Sequence, residues 1–272
     1  MADKDSIDTQ RWALGVEYNG AQYNGWQRQS HSKAVQSVLE SILSQVADHP
    51  VEVTCAGRTD SGVHATNQVV HFDCHNDRPE KAWLKGVNGL LPDDISVHKA
   101  VAVDDSFHAR FSATSRSYQY IIDNCPTKPA ILSEGLTWIR EPLDEKLMQA
   151  ACPAFYGELD FSSFRSSQCQ SHSVHRNLTQ LRCRRVQDYI IINITANAFL
   201  HHMVRNIVGV LIEIGAGRKP PEWSEQVLEA RDRTRAAVTA PANGLYLTHV
   251  AYPETFGLNI KERAPLMFSS DE

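Results

Sequence analysis

The chain has 272 residues, of which 42% are hydrophobic, 22% charged and 8% aromatic, with Gly (14) and Pro (12) in ordinary proportion. That composition excludes coiled coil, collagen and wholesale disorder, and the length corresponds to one or two domains that bury a core without staples. A formal net charge of −5 and a pI near 6.2 argue, taken as a sum, against a nucleic-acid partner, because phosphate contacts need Lys and Arg. Met1–Gln10 is polar and acidic, without the apolar run of a secretory signal. Ile207–Ile214, the longest apolar stretch, is too short for a membrane span and contains Glu213. Six scattered cysteines without a CxxC pair read as reduced thiols of a cytoplasmic protein.

Trp12–Tyr18 reads as a strand, followed by a turn-rich loop marked by Asn19-Gly20 and Asn24-Gly25. Val35, Val38, Leu39, Ile42, Leu43 and Val46 recur at helical spacing, predicting a helix over 33–47 with Ser32 as N-cap. Strands are expected at Val51–Ala56 and Asn67–Phe72, a helix around Pro79–Gly89 and a strand at Ile95–Val103. Arg116–Asp123 alternates like a strand, and a helix starts near Asp144 and ends or kinks at Pro153. Strands at Leu178–Gln187 and Tyr189–Ala196 precede a helix over Phe199–Gly215, a short helix at Trp223–Arg231 and a strand at Leu247–Tyr252. Hairpin-like strand pairs with interleaved helices indicate an α+β fold with antiparallel sheets.

Charge is unevenly placed. Residues 1–110 carry 10 basic and 15 acidic side chains, whereas 111–272 carry 17 of each. Within 161–212, Arg165, Arg176, Arg182, Arg184, Arg185 and Arg205 stand against Asp188 alone. Arginine suits bidentate phosphate recognition and stacking on bases; the plainer reading is a solvated strand face. The acidic sum therefore does not exclude RNA.

The most unusual segment is Gly57-Arg58-Thr59-Asp60-Ser61-Gly62-Val63-His64-Ala65, which sets a cation, an anion, two hydroxyls and an imidazole between apolar strands. Its glycines permit tight backbone on which polar side chains converge. A neighbouring Arg58 favours an ionised Asp60, and a positioned carboxylate serves as nucleophile or general base. The plainer reading is an Asx-turn with a surface ion pair. Asp60-Ser61-Gly62 also matches the aspartic-protease tripeptide, but those enzymes need two aspartates sharing a proton and the chain holds one such copy.

With its surroundings, this loop resembles the bacterial tRNA pseudouridine synthases of the TruA family. The matches are Tyr18-Asn19-Gly20, Tyr23 to Gln29, Gly57 to Ala65, Phe107 to Ala113, Arg116 to Tyr120, Asp160 to Arg165, His201 to Asn206 and Gly244 to Leu247. The resemblance implies two similar subdomains, with sheets joined across a central catalytic cleft and helices on the outer faces. It divides the chain into 1–110, carrying the Asp60 loop; 111–256, carrying Tyr118, Arg205 and the basic RNA-facing segment; and a 257–272 tail. It makes Asp60 the catalytic group of a reaction that detaches uracil from C1′ and rejoins it through C5, without cofactor or metal. A carboxylate that attacks C1′, attacks the ring or removes a ribose proton fits equally. Arg58 resembles the residue that fills the space left by a flipped base, an event costing a few kcal/mol. Tyr118 resembles the ring that stacks on uracil, worth roughly 1–3 kcal/mol; Tyr120, two residues on, reads as core. Leu245 resembles the apolar residue closing the other side of the pocket.

The resemblance also pairs Arg205 with Asp60. The polar stripe His202, Arg205 or Asn206, Gly209 and Glu213 lies on one face of the 199–215 helix, where Gly209 lets another backbone approach. For RNA grip it points to Arg78, to Phe107, His108, Ala109, Arg110 and Phe111, and to Gln168, Cys169, Gln170, Ser171 and His172. Pro126 and Ile139 have no side-chain donors for RNA, and Ser61 replaces a common alanine. The implied partner is the anticodon stem-loop of tRNA, modified at positions 38, 39 and 40 by a homodimer, with no membrane and no small-molecule cofactor. His71, Cys74 and His75 invite a zinc reading, but alternation splits them between strand faces and a fourth ligand is lacking at usual spacing. The rival class is a catalytically silent RNA-binding or chaperone module, which needs no Asp60.

Overall fold

The computed structural model describes residues 9–265, so the readings on Met1–Gln10 and on the 257–272 tail lie largely or in part outside the described residues. Two compact units emerge, one of residues 9–114 with 249–265 and the other of residues 115–248. No helix among the described residues is long and apolar enough to cross a membrane, and all six cysteines are free thiols. The elements are those of the expected α+β class.

The first unit contains β1 (Gln10–Tyr18), α1 (Val35–Ala47), β2 (Thr54–Cys55), β3 (His64–Cys74) and β4 (Ile95–Val103). β1 lies between β3 and β4, antiparallel to both. Trp12, Leu14 and Val16 of β1 are buried with Phe72 of β3 and Val97 of β4, and Trp83 is enclosed between Trp12 and Phe72 at ring distances of 5.8 and 5.0 Å. The expected helix around Pro79–Gly89 contains a π-helical stretch, Ala82–Gly86, which carries that tryptophan.

In this unit three expectations need correction. Ser32 does not cap α1, whose N-cap residue is Ala34. The first-turn amides of Val35 and Gln36 instead donate to Gly25 O (3.3 Å) and Trp26 O (3.0 Å), so the turn-rich loop caps the helix with its own backbone. The strand over Val51–Ala56 shrinks to two residues because Val51 N donates to Ser44 Oγ (2.8 Å) and Val53 N to Glu40 Oε1 (3.0 Å), both on α1. β3 is longer than its apolar portion. Its polar beginning is buried, where Asn67 Nδ2 donates to Lys261 O (2.9 Å) and Thr66 Oγ1 to Arg263 O.

The second unit contains β5 (Ser115–Asp123), β6 (Thr137–Trp138), α2 (Glu145–Ala151), β7 (Gly157–Asp160), β8 (His175–Val186), β9 (Tyr189–Ala196), α3 (Met203–Gly215) and α4 (Trp223–Ala230). Its sheet runs β5-β9-β8-β7, all antiparallel, with β6 parallel to β5. Asp144 caps α2 through Lys146 N (2.8 Å), and the helix stops before Pro153, giving way to a 3₁₀ turn. α3 begins four residues later than its apolar pattern, because His202 takes the left-handed conformation (φ 64°) at its N-cap. β10 (Leu245–Ala251) ends the fold, its residues 245–248 falling in the second unit and 249–251 in the first.

Burial leaves a mark on the first unit's imidazoles. It pushes His71 down to about 4, helped by His108 and Arg11, and His98 down to about 4, helped by Arg263. Unfolded histidine titrates near 6.5, so the unfolded chain binds more protons between about pH 4 and 6.5. The stability these residues contribute is complete above about pH 6.5 and lost as pH falls through that window. Urea midpoints should therefore drop between about pH 7 and pH 4.5, and drop less in His71→Asn and His98→Gln variants. Parallel profiles for wild type and variants would refute the assignment.

Candidate active site

The loop between β2 and β3 is fixed almost entirely through its backbone. Trp26 N donates to Thr59 O (3.0 Å), Gly62 N and Ser61 Oγ donate to Tyr23 O (3.3 and 3.2 Å), and Val63 N closes a turn on Asp60 O (3.1 Å). Gly62 stands at φ 77°, the position in such a turn that glycine takes at least cost. Gln68 brackets the loop's start, accepting from Gly57 N and donating to Gly57 O (2.7 Å). Inside, the hydroxyls of Tyr18 and Thr59 share a 2.7 Å bond, and buried His64 accepts from Gly20 N through Nδ1 (3.0 Å).

The partner loop, residues 19–29, is positioned just as firmly. Buried Glu40 of α1 accepts from Arg28 (2.8 Å), Gln36 (2.9 Å) and Val53 N (3.0 Å), and Trp26 is buried against Tyr18 at 5.8 Å. A Cβ at Gly20 would stand 1.9 Å from Val63 O, and one at Gly25, where φ is 83°, would stand 2.7 Å from Thr59 O. With the backbones interlocked and Thr59 and His64 turned inward, Arg58 and Ser61 are left exposed and Asp60 half-buried. A carboxylate held this way is preorganised and reachable from solvent.

Arg58 and Arg110 are brought to one neighbourhood. Desolvation pushes the Cys55 thiol up to about 12, and both arginines pull against it. Within 107–111, Phe107 and Ala109 are fully buried. Phe107 packs on Tyr252 and Phe256 at 5.1 and 5.2 Å, and Ala109 bonds His71 Nδ1 (3.1 Å) and the Tyr252 hydroxyl (2.6 Å). Their side chains therefore anchor the segment from within. The exposed face is Phe111, stacked on His108 at 4.4 Å, with the Arg110 guanidinium 5.5 Å from its ring. His108 Nδ1 accepts from the amides of Arg110 and Phe111 (3.2 Å each), fixing the platform's orientation. Arg78 lies apart, where its Nε donates to Val46 O (2.9 Å) in the last turn of α1. His71 and His75 face different neighbours, His108 at 4.7 Å and His49 at 4.8 Å, and do not converge on a shared ligand.

In the second unit, Tyr118 on β5 is 8% exposed and meets the edge of Phe199 at 5.1 Å and 87°, a partner that periodicity could not reveal. Tyr120 is core, its hydroxyl bound to Thr137 Oγ1 (2.6 Å) and Pro241 O (2.8 Å). Leu245, 4% exposed, begins β10 after Gly244, where a Cβ would stand 2.6 Å from Ile121 O. Arg205 is half-buried and joined to Ala240 in both directions, Nε donating to Ala240 O (2.8 Å) and Ala240 N to Arg205 O (3.1 Å). Gly209 admits that segment, since a Cβ there would lie 2.2 Å from Val238 O. Asn206 belongs to the interior, and Glu213 is engaged by Arg218 (2.8 Å).

Gln168, Gln170 and His172 are exposed on a loop secured from below by Arg165, which donates to Cys169 O (2.6 Å), and Arg176, which donates to Ser171 Oγ (2.8 Å). Burial disfavours the Cys169 thiolate, but amides of His201 and Ser171 and the Arg165 guanidinium outweigh it, so the thiol lies below its ordinary value.

The family model described as tRNA pseudouridine synthase matches residues 15–112 and 151–253. A tRNA pseudouridine synthase A from Pseudoalteromonas atlantica is 52% identical over 261 residues, covering 96% of this chain and 99% of that one. Another from Vibrio campbellii is 57% identical over 248 residues, covering 91% and 94%. Among solved structures, an H/ACA RNP bound to a substrate RNA containing 2′-deoxyuridine aligns with a TM-score of 0.35 at 12% identity, over 87% of this chain and 47% of that chain.

The interlock of the two loops is testable without any assay of function. Gly20→Ala should cost about 1–3 kcal/mol of stability, the usual penalty for overpacking, and should speed amide exchange at Gly62 and Val63. Unchanged exchange at those amides would show that the loops are held independently.

Proposed function

Since the chain belongs to the tRNA pseudouridine synthase family, we infer that it isomerises uridine to pseudouridine in tRNA, with Asp60 as the catalytic group. The N1–C1′ bond of the nucleotide breaks and a C5–C1′ bond forms. C5 gives up its proton and N1 regains one, so the atoms of the substrate are those of the product. Nothing is oxidised or hydrolysed overall, and the reading carries no cofactor. The observation that supports Asp60 most directly is its loop, locked through backbone bonds on both sides while the carboxylate stays reachable.

The target base must leave its stack, which costs a few kcal/mol. Tyr118, steadied by the Phe199 edge, supplies a stacking face worth roughly 1–3 kcal/mol. Leu245 offers an apolar surface for the other side of the base. Exposed Arg58 occupies the place the base leaves in the stack, and Arg205 completes the nucleotide-binding set. Arg110 with the Phe111–His108 platform, and Gln168, Gln170 and His172, grip the surrounding RNA through phosphate and ring contacts. The substrate region is the anticodon stem-loop, at positions 38, 39 and 40, and the working form is a cytoplasmic homodimer.

Tritium release from 5-tritiated uridine in tRNA tests the proposal. Wild type should release tritium, and Asp60→Asn should release it at least about 10²-fold more slowly, in the range removed with an acid–base group, while tRNA binding persists. Wild type that binds tRNA without release would make the chain a silent RNA-binding module. Undiminished release by the variant would remove Asp60 from the chemistry.

A further inference from the structure

A cavity of about 540 Å³ opens to solvent in the second unit, lined by Arg165 and Arg233, by the hydroxyls of Ser166, Ser167 and Thr239, and by His202. No carboxylate lines it. Three other arginines of this unit are matched with acids: Arg185 with Glu145 at 2.9 Å, Arg218 with Glu213 at 2.8 Å and Arg231 with Asp160 at 3.3 Å. Arg165 and Arg233 have no such partner among the described residues. Arg165 donates to Cys169 O (2.6 Å). Arg233 donates to Ala237 O (2.9 Å), Asn206 Oδ1 (3.0 Å) and Thr239 Oγ1 (2.9 Å), all neutral acceptors. Burial pushes the Arg233 guanidinium pKa down, as desolvation of a cation must.

The acids close in sequence are already occupied. Asp160 accepts from Ser162 N (2.9 Å) and Ser162 Oγ (2.6 Å) besides meeting Arg231, and Asp232 accepts from Thr234 N (2.9 Å) and Thr234 Oγ1 (2.8 Å). Beneath the cavity, fully buried Asn206 ties its walls together. Its Nδ2 donates to Phe164 O (2.7 Å), the residue before Arg165, while its Oδ1 receives Arg233 and the Thr239 hydroxyl (2.7 Å). Two guanidiniums without counter-charge, on walls fixed by one buried amide, form a preorganised anion site. The cavity presents no aromatic ring except the His202 imidazole, so it offers phosphate donors without a platform for a base.

We propose that this cavity binds one backbone phosphodiester of the tRNA, beside the segment that Arg205 holds through Ala240. The assignment rests on tRNA being the substrate, as inferred above. An internal phosphodiester brings the single negative charge that the two arginines lack, and Ser166 and Ser167 add hydroxyl donors at the rim. The contact is a positioning one: it sets the register of the strand and reads no base.

Binding of a tRNA anticodon stem-loop by the full chain, measured from low to high salt, tests this with Arg165→Gln and Ser167→Asp. Ser167 is exposed, so its aspartate variant adds a repelling charge without removing an internal bond and stands if Arg165→Gln fails to fold. Each variant should bind about 10-fold more weakly at low salt, the scale of one charged hydrogen bond. For Arg165→Gln the slope of log K against log salt should also fall by about 0.7–0.9, one phosphate's worth. Stem-loops carrying one uncharged methylphosphonate, scanned along the strand, should show a single linkage whose neutralisation weakens wild type about 10-fold and Arg165→Gln, which keeps only Arg233 at the site, by clearly less. Wild-type affinity in Ser167→Asp, or additive losses at every linkage, would overturn the site. Tritium release by wild type, run alongside, separates that failure from failure of the isomerase reading.

Discussion

A carbon atom at position 20 would sit 1.9 Å from the carbonyl oxygen of Val63, and one at position 25 would sit 2.7 Å from that of Thr59. The backbones of residues 19–29 and 57–63 therefore touch with no side chain between them, and the placement of Asp60 depends on that contact. Each loop supplies bonds the other lacks: Tyr23 O takes Gly62 N and the Ser61 hydroxyl, and Thr59 O takes Trp26 N. The first loop also satisfies the orphan amides of α1 through Gly25 O and Trp26 O. Buried Glu40 closes the circuit by drawing Arg28, Gln36 and Val53 N to one carboxylate. A helix terminus, a buried acid and two glycines thus form one unit that fixes the half-buried Asp60.

The same economy governs the arginines. Summed, the charge of −5 describes a protein that should avoid RNA. Sorted by what each cation touches, a different account emerges. Arg185 is committed to Glu145, Asn124 and Leu143 O, and Arg176 is buried beneath the 168–172 loop, donating to Ser171, Ser173 and His175. These are structural, and counting them as RNA donors overstates the basic window at 161–212. Arg58 and Arg110 are exposed, and Arg165 and Arg233 line an open cavity while donating to neutral acceptors. Placement, more than number, decides which cations can meet a polyanion.

Much of the fold was legible because strand and helix periods are local properties. The strands expected at Ile95–Val103 and Tyr189–Ala196 have those bounds in the structure, and Gly209 in α3 was readable as a point of close approach from its place on a polar stripe. What escaped depends on contacts distant in sequence. Ser32 has the chemistry of a cap, but Gly25 O and Trp26 O reached the helix terminus first. The start of α3 moved to Met203 because His202 adopted φ 64°. β6 and β7, of two and four residues, carry too little pattern to detect. In the 107–111 segment the inward burial of Phe107 and Ala109 was not readable, since a short polar-aromatic run gives no period from which to assign faces.

The division of labour along 107–111 shows why a motif overstates the number of residues that contact a ligand. Phe107 and Ala109 fix the segment to Tyr252, Phe256 and His71, and His108 turns its ring nitrogen back onto the amides of Arg110 and Phe111. Only with that anchoring can an 76% exposed phenylalanine keep a defined orientation, because an unsupported ring on a loop would surrender its stacking energy to conformational entropy. The Asp60 loop follows the same arrangement, with Thr59 and His64 inside and Arg58 and Ser61 outside. In both segments inward residues alternate with outward ones over a few positions. Three-dimensional placement is therefore what separates the residues that hold from those left at the surface.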